Sequence, residues 1–356
     1  MKRIRLLLLL LLPALLAVSC NKENTLELSP QEEIKVENCQ LNITLDDGIN
    51  GTKASAYTTV LPYEKTIKSI EVLVFNDNGT IEKYAKITGT TCSFTVTQGK
   101  KHIYAFANCF NLSYITHTWE LEEQYISLGS CSKTNGFPMH GQTSVTCSAN
   151  ATTPCSIELK RYAARVALTN VFLNLGTYVD EAAVEGVFLT NVVASRSLLG
   201  DEIDDWCNVQ GRNWDDDMIC YWDGYTPDYE ALTGYCYDYW VSNGSELIFE
   251  DDYDYPFLGY AYANSSTKSP NGTGNFSWTT GERTCLVVEM YINGEIYYYP
   301  IVLDNGPLNE NCAYTVSLTI TGLGSQDPNI PIQKGSLSGT ITVSNWSTGA
   351  VYDKTI

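Results

Sequence analysis

Lys68-Ser-Ile-Glu-Val-Leu-Val-Phe-Asn-Asp-Asn-Gly79 is the stretch on which the fold turns. Ile70, Val72 and Val74 fall on alternate positions, the period of a strand that turns one face to a core. Asp77-Asn78-Gly79 comes next, and Asn and Gly accept the positive φ of a tight hairpin turn. Residues 80–86 are therefore expected to return as an antiparallel partner.

Outward from this hairpin the pattern repeats. Residues 40–45 read as a short first strand, ended by Asp46-Asp47-Gly48 and Asn50-Gly51. Residues 91–97 and 101–108 alternate, and 156–173 read as one long strand. Residues 184–193 form another. Residues 285–292 and 295–303 flank Asn293-Gly294, the residue pair of a type I′ turn. Residues 311–321 alternate through Cys312, Tyr314, Val316, Leu318 and Ile320, and 339–346 alternate and run on to 356. Helix-like spacing is confined to short stretches such as 119–125. Short strands separated by turn residues imply an all-β fold, two antiparallel β-sandwich domains in tandem over 54–176 and 177–356, with the boundary near Gly176.

Residues 201–254 interrupt the second domain. They hold sixteen Asp and Glu against one basic residue, Arg212, and so carry most of the net charge of −19. Trp206, Trp214, Trp222 and Trp240 lie there, with Cys207, Cys220 and Cys236. The favoured reading is a solvated loop pinned by disulfides, its aromatics packed on the second domain. Asp215-Asp216-Asp217, or Asp251-Asp252 with Asp254, would suit calcium, but no loop of the Asp-x-Asp-x-Asp-Gly kind is present and no metal is assigned. Exposed Trp and Tyr would alternatively stack on sugar rings.

The amino-terminal segment sets the compartment. Lys2, Arg3 and Arg5 precede an apolar run over 6–18, too short for a span of about 20 residues. It ends in Ala17-Val18-Ser19-Cys20, the pattern of a lipoprotein signal peptide over 1–19 with lipid attached at Cys20. Residues 20–53 then form a lipidated tether and the first strand, a possible propeptide. Asn21 stands directly after the lipidated cysteine, which favours the outer membrane.

Acidic residues number 41 against 22 basic ones, a balance that excludes nucleic acid and anionic headgroups as partners. Twelve cysteines suit an exported chain that holds disulfides, and lipidation of one leaves an odd set. No Gly-x-Ser-x-Gly, His-Glu-x-x-His or phosphate-cradling loop occurs, and His102, His117 and His140 have no matching acid or nucleophile. No catalytic residue and no cofactor is assigned.

Several stretches together resemble the fimbrillin family, the pilus subunits of Bacteroidales. They are residues 68–79 above, His102-Ile-Tyr-Ala-Phe-Ala-Asn108, Pro138-Met-His-Gly141 and Leu159-Lys-Arg-Tyr-Ala-Ala-Arg-Val-Ala-Leu168. The carboxyl end adds Asn309-Glu-Asn-Cys-Ala-Tyr-Thr-Val-Ser-Leu-Thr-Ile320, Gly322-Leu-Gly324, Asp327-Pro328 and Ile341-Thr-Val-Ser-Asn-Trp346. The resemblance implies transthyretin-like sandwiches and a lipid-anchored route to the outer membrane. There a surface trypsin-like protease would cut after the first strand, and the terminal strand of another subunit would fill the groove left behind. In this chain the cut falls in Gly51-Thr-Lys-Ala-Ser-Ala56, at Lys53-Ala54, with Lys where Arg is usual. Residues 338–356 would be the donor, with Ile341, Val343, Trp346, Val351 and Tyr352 offered to pockets. The expected product is an extracellular fimbrium of like or mixed subunits, supporting adhesion to a host glycan or protein. The competing expectations are a monomeric surface lipoprotein that binds glycans through 201–254, and an uncut anchor or accessory subunit.

Overall fold

The computed structural model describes residues 37–46, 61–131, 134–190, 192–193, 195–200, 206–207, 239–240, 257–265, 283–303, 307–326, 337–345 and 351–355. In chain order the first half holds β1 (Asn38–Asp46), β2 (Ile70–Asn76), β3 (Ile81–Ile87), β4 (Thr91–Thr97), β5 (Gly99–Ala107), a helical turn α1 (Thr118–Glu122), β6 (Tyr125–Ser127), β7 (Met139–Cys147), β8 (Thr152–Glu158) and β9 (Lys160–Arg161). Two sheets result, of order β4-β1-β8 and β3-β2-β5-β7-β9. The hairpin expected at 68–86 is present, with Ile70 opposite Ile87 and Gly79 at φ 81° in its turn.

The two sheets face one another across a core. Leu41, Ile43 and Leu45 of β1 meet Ile70, Val72 and Val74 of β2 and Ile103 and Ala105 of β5, all buried. The alternation of β2 accounts for one of its faces only. Leu73 and Phe75, on the opposite face, are also buried, beneath Leu112, Ile115 and Leu121 of the segment that carries α1. The five-stranded sheet is thus covered on both faces there, and no residue of β2 is exposed.

The single strand expected over 156–173 is divided among three sheets. β8 ends at Glu158, β9 pairs with β7, and β10 (Ala163–Leu173) enters the second half. Gly141 is required at this crossing, because a Cβ there would stand 2.4 Å from the Glu158 carbonyl oxygen. The change of sandwich falls between β9 and β10, ahead of Gly176.

The second half continues with β11 (Ala182–Thr190), β12 (Val192–Val193), β13 (Ser195–Ser197), β14 (Trp206–Cys207), β15 (Tyr239–Trp240), β16 (Phe257–Tyr262), β17 (Cys285–Ile292), β18 (Glu295–Val302), β19 (Cys312–Ile320), β20 (Leu337–Asn345) and β21 (Val351–Thr355). Apart from β13, which pairs antiparallel with β6, they make with β10 a sheet of order β14-β12-β16-β10-β19-β20-β21 facing one of order β15-β11-β17-β18. Val166, Leu168, Val171, Val288, Met290, Tyr314 and Val316 are among the residues that fill the space between. The β17–β18 turn is the expected one, with Asn293 at φ 50° and Gly294 at φ 92°.

Three expectations change. Pairing is not wholly antiparallel, because β1 runs parallel to β8 and β10 parallel to β19. The stretch 184–193 divides between sheets, β11 in one and β12 in the other. The carboxyl end does not continue as one strand but folds back, so that β21 pairs antiparallel with β20 at the sheet edge. Most of 201–254 lies outside the described residues. Two dipeptides of it, β14 and β15, add short edge strands to the two sheets.

Candidate assembly site at the first strand

β1 is not an edge. It lies between β4, which it meets antiparallel from Asn38↔Thr97 to Thr44↔Thr91, and β8, which it meets parallel from Gln40↔Thr152 to Asp46↔Glu158. Hydrogen bonds extend the pairing at both ends. The Gln98 amide donates to the Glu37 carbonyl at 2.8 Å, Asn150 to Asn38 at 2.8 Å, and Leu159 to Asp46 at 2.7 Å. Cys39, Leu41, Ile43 and Leu45 point inward and are at most 3% exposed. Burial of an aliphatic side chain of this size is worth about 1.5–3 kcal/mol. Removal of β1 would open a slot with an apolar floor and two unpaired strand edges, which a chain of matching alternation fills by β-strand addition.

Lys53 and Ala54, the residues expected to be cleaved, lie outside the described residues, as does Cys20. The chain becomes describable again at Leu61, and there it is firmly held. The Glu64 side chain is wholly buried, and Arg165 Nη1 lies 2.9 Å and 3.1 Å from its two carboxylate oxygens. The Tyr260 hydroxyl donates to Glu64 Oε1 at 2.7 Å, and the Leu61 amide to Oε2 at 2.6 Å. Arg161, also buried, donates from Nε to the Glu64 carbonyl at 3.0 Å and from Nη1 to Asn311 Oδ1 at 3.2 Å. Burial and the neighbouring Glu64 push the Tyr260 hydroxyl far above its ordinary pKa, so it stays a donor. Residues 61–65 are thus held to β9, β10 and β16 by side chains that follow them in the chain.

Arg161 and Arg165 stand in the motif at 159–168, where two cations inside an apolar strand signal a buried charge network. Their partner Glu64 is about a hundred positions away, and no local pattern names it. A second polar contact crosses between the halves where His140 Nε2 lies 3.2 Å from Glu310 Oε2, with the His140 ring stacked on Tyr162 at 4.3 Å. His102 faces Asp77 at 3.2 Å, and His117 caps α1. No group of His, Cys, Asp or Glu suited to a metal ion occurs among the described residues.

The residues expected to act as a donor strand are distributed unequally. Ile341 and Val343 of β20 are buried in the second core, opposite Val316 and Tyr314 of β19. Val351 and Tyr352 lie on β21, opposite Ser344 and Val343. Trp346 lies outside the described residues. Among the described residues β21 pairs with β20 alone, whereas β20 is paired on both sides.

In the first half, Cys39, Cys92, Cys109, Cys131, Cys147 and Cys155 are in the thiol form. Cys39 lies near the start of β1 and Cys147 at the end of β7, a placement at strand ends that alternation alone does not reveal.

The pair of β-sandwiches is a fold that this chain shares with solved structures of a fimbrilin and of cell-adhesion proteins. A fimbrilin from Porphyromonas gingivalis W83 superposes with a TM-score of 0.58 at 11% identity, covering 88% of this chain and 99% of that one. A candidate cell adhesion protein from Parabacteroides distasonis gives 0.56 at 18% identity, over 87% of this chain and all of the other. Another from Bacteroides eggerthii gives 0.56 at 16%, over 87% and 97%. Residues 39–186 match the family described as major fimbrial subunit protein (FimA), so the fimbrillin resemblance read from the sequence holds. No curated protein matches the chain.

Proposed function

We propose that the chain is a structural subunit of a cell-surface fimbrium, assembled by strand exchange after proteolysis and supporting adhesion. The observation that carries the reading is the position of β1. It is a central strand, paired along both edges, yet joined to the rest of the fold only through 47–60, while residues 61–65 are independently anchored by Glu64, Arg161 and Arg165. A cut at Lys53-Ala54 frees the strand and leaves the anchored residues 61–65 in place. The fimbrial family match over 39–186 and the shared fold support assembly with other subunits of the same kind and a place on the cell surface. They support a structural role in preference to a catalytic one.

In this reading lipid on Cys20 holds the chain at the outer membrane until the cut, a trypsin-like protease tolerant of Lys makes it, and residues 338–356 of a neighbour enter the slot. A host glycan or protein would be met by the finished filament. Incubating the full-length protein with a Lys-specific protease tests the central step. A new amino terminus at Ala54, with filaments visible by electron microscopy, is expected; a cut chain that stays monomeric at high concentration with β1 released rejects the mechanism.

A further inference from the structure

Cys39 is the first inward-facing residue of β1, and Cys147 is the last residue of β7. The two strands belong to opposite sheets, but the turn after Cys147 leads directly into β8, which lies beside β1. At that corner the Asn150 amide donates to Asn38 and the Gln40 amide to Ala151, which fixes Cys39 from both sides. Cys39 and Cys147 are buried in the same core cluster, and Thr153 Oγ1, on β8 just beyond the turn from Cys147, lies 3.4 Å from Cys39 Sγ. Each cysteine is 2% exposed.

We infer that Cys39 and Cys147 are a cross-linking site, and that their disulfide fastens the first strand into its slot even after the chain is cut between them. The functional half of this inference rests on the strand-exchange reading above; the cross-link itself does not. Oxidation removes two protons and two electrons from the pair. A disulfide-bearing oxidant, either oxidised glutathione or the disulfide of a thiol-oxidising protein, accepts them and leaves as two thiols. A dithiol reductant reverses the exchange by attacking either sulfur. The bond bridges residues on opposite sides of the 47–60 segment, so one peptide-bond cleavage there cannot release β1 while the bond holds.

Cys92 and Cys155 do not form an alternative pair with each other. Cys92 and Cys155 both lie opposite Ile43, one on each side of it. Two strand spacings of about 4.8 Å put their Cα atoms beyond the roughly 7 Å that a disulfide spans. Burial raises the Cys147 pKa to about 11, with Cys39 adding to the rise, so the folded protein exchanges slowly at neutral pH and the bond forms best during folding.

The test uses the full-length chain refolded in a reduced and oxidised glutathione couple, with free thiols then alkylated. Peptide mass spectrometry without reductant is expected to find a linked pair containing Cys39 and Cys147; both residues recovered alkylated, or joined to other cysteines, would overturn the assignment. After a Lys-specific cut in 47–60, a denaturing gel without reductant should show the amino-terminal fragment still attached, and dithiothreitol should release it. Cys39→Ser and Cys147→Ser should each release it without reductant. If the protease does not cut in 47–60, the strand-exchange reading fails while the linked peptide still decides the cross-link. If cut, oxidised protein forms filaments as readily as reduced protein, the cross-link does not act as a lock.

Discussion

The Glu64 carboxylate and the Arg165 guanidinium lie 2.9 Å apart with no solvent reaching either side chain, and they join residues 61–65 to the first strand of the second sandwich. Breaking a buried pair by removing one partner leaves a charge without compensation. Glu64→Gln or Arg165→Met is therefore expected to cost about 3–5 kcal/mol. Urea unfolding measures it. A double replacement, Glu64→Leu with Arg165→Met, should recover most of the loss. If both single variants match the parent midpoint, the pair contributes only position.

Glu310 gives the fold an acid-sensitive contact between its halves. Burial alone would raise its pKa, but the hydrogen bond from His140, with the charges of His140, Arg196 and Lys160, outweighs that and leaves it below the ordinary value of 4.5. A carboxylate depressed in the folded state binds fewer protons there than when unfolded. Its stabilisation is complete above the unfolded pKa and disappears as pH falls through the folded one. His140→Ala should thus reduce stability at pH 6 and flatten the decline on acidification below 4.5. An unchanged acid limb in unfolding curves would contradict it.

Assembly should depend on both ends of the chain. Lys53→Ala is expected to give a protease-resistant monomer with β1 in place. Deletion of 347–356 removes β21, which touches the sheet along one edge only. That variant should remain folded by circular dichroism and fail to polymerise after protease treatment. Filaments from either variant would sink strand exchange.

Lipid attachment is tested at Cys20. Cys20→Ala should leave a precursor with its signal peptide that never reaches the surface, scored by mass and by surface labelling of intact cells.

Residues 201–254 contribute β14 and β15, two residues each at the outer edges of their sheets. Replacement of the whole segment by a Gly/Ser linker is expected to leave both sandwiches folded, with a loss within about 2 kcal/mol, as for other edge contacts. Loss of the protease-resistant body would make the segment part of the core.

Much of the fold was legible because alternation and turn chemistry are local. The 68–86 hairpin and the Asn293-Gly294 turn are read from residues adjacent in sequence. The hidden parts depended on distant partners. The run at 156–173 looks continuous because inward residues remain apolar on both sides of Leu159, yet the chain changes sheet twice within it. The Glu64–Arg165 pair shows no spacing rule. That β1 is central, not marginal, results from β8 returning beside it from more than a hundred positions away. Nothing in 40–45 records that.

The mixed pairing of β1 has a directional consequence. β4 and β8 run opposite to one another, so any strand between them has one parallel and one antiparallel wall whichever way it enters. Inward side chains spaced every second residue read equally well in both senses. The backbone of the slot and the spacing of its floor therefore do not choose an orientation. The choice passes to the chain that leads the strand in, and with identical subunits joined head to tail such a contact gives an open fibre when the rotation between subunits does not close a ring. The polarity of a fibre built this way is decided by its connector and not by its socket.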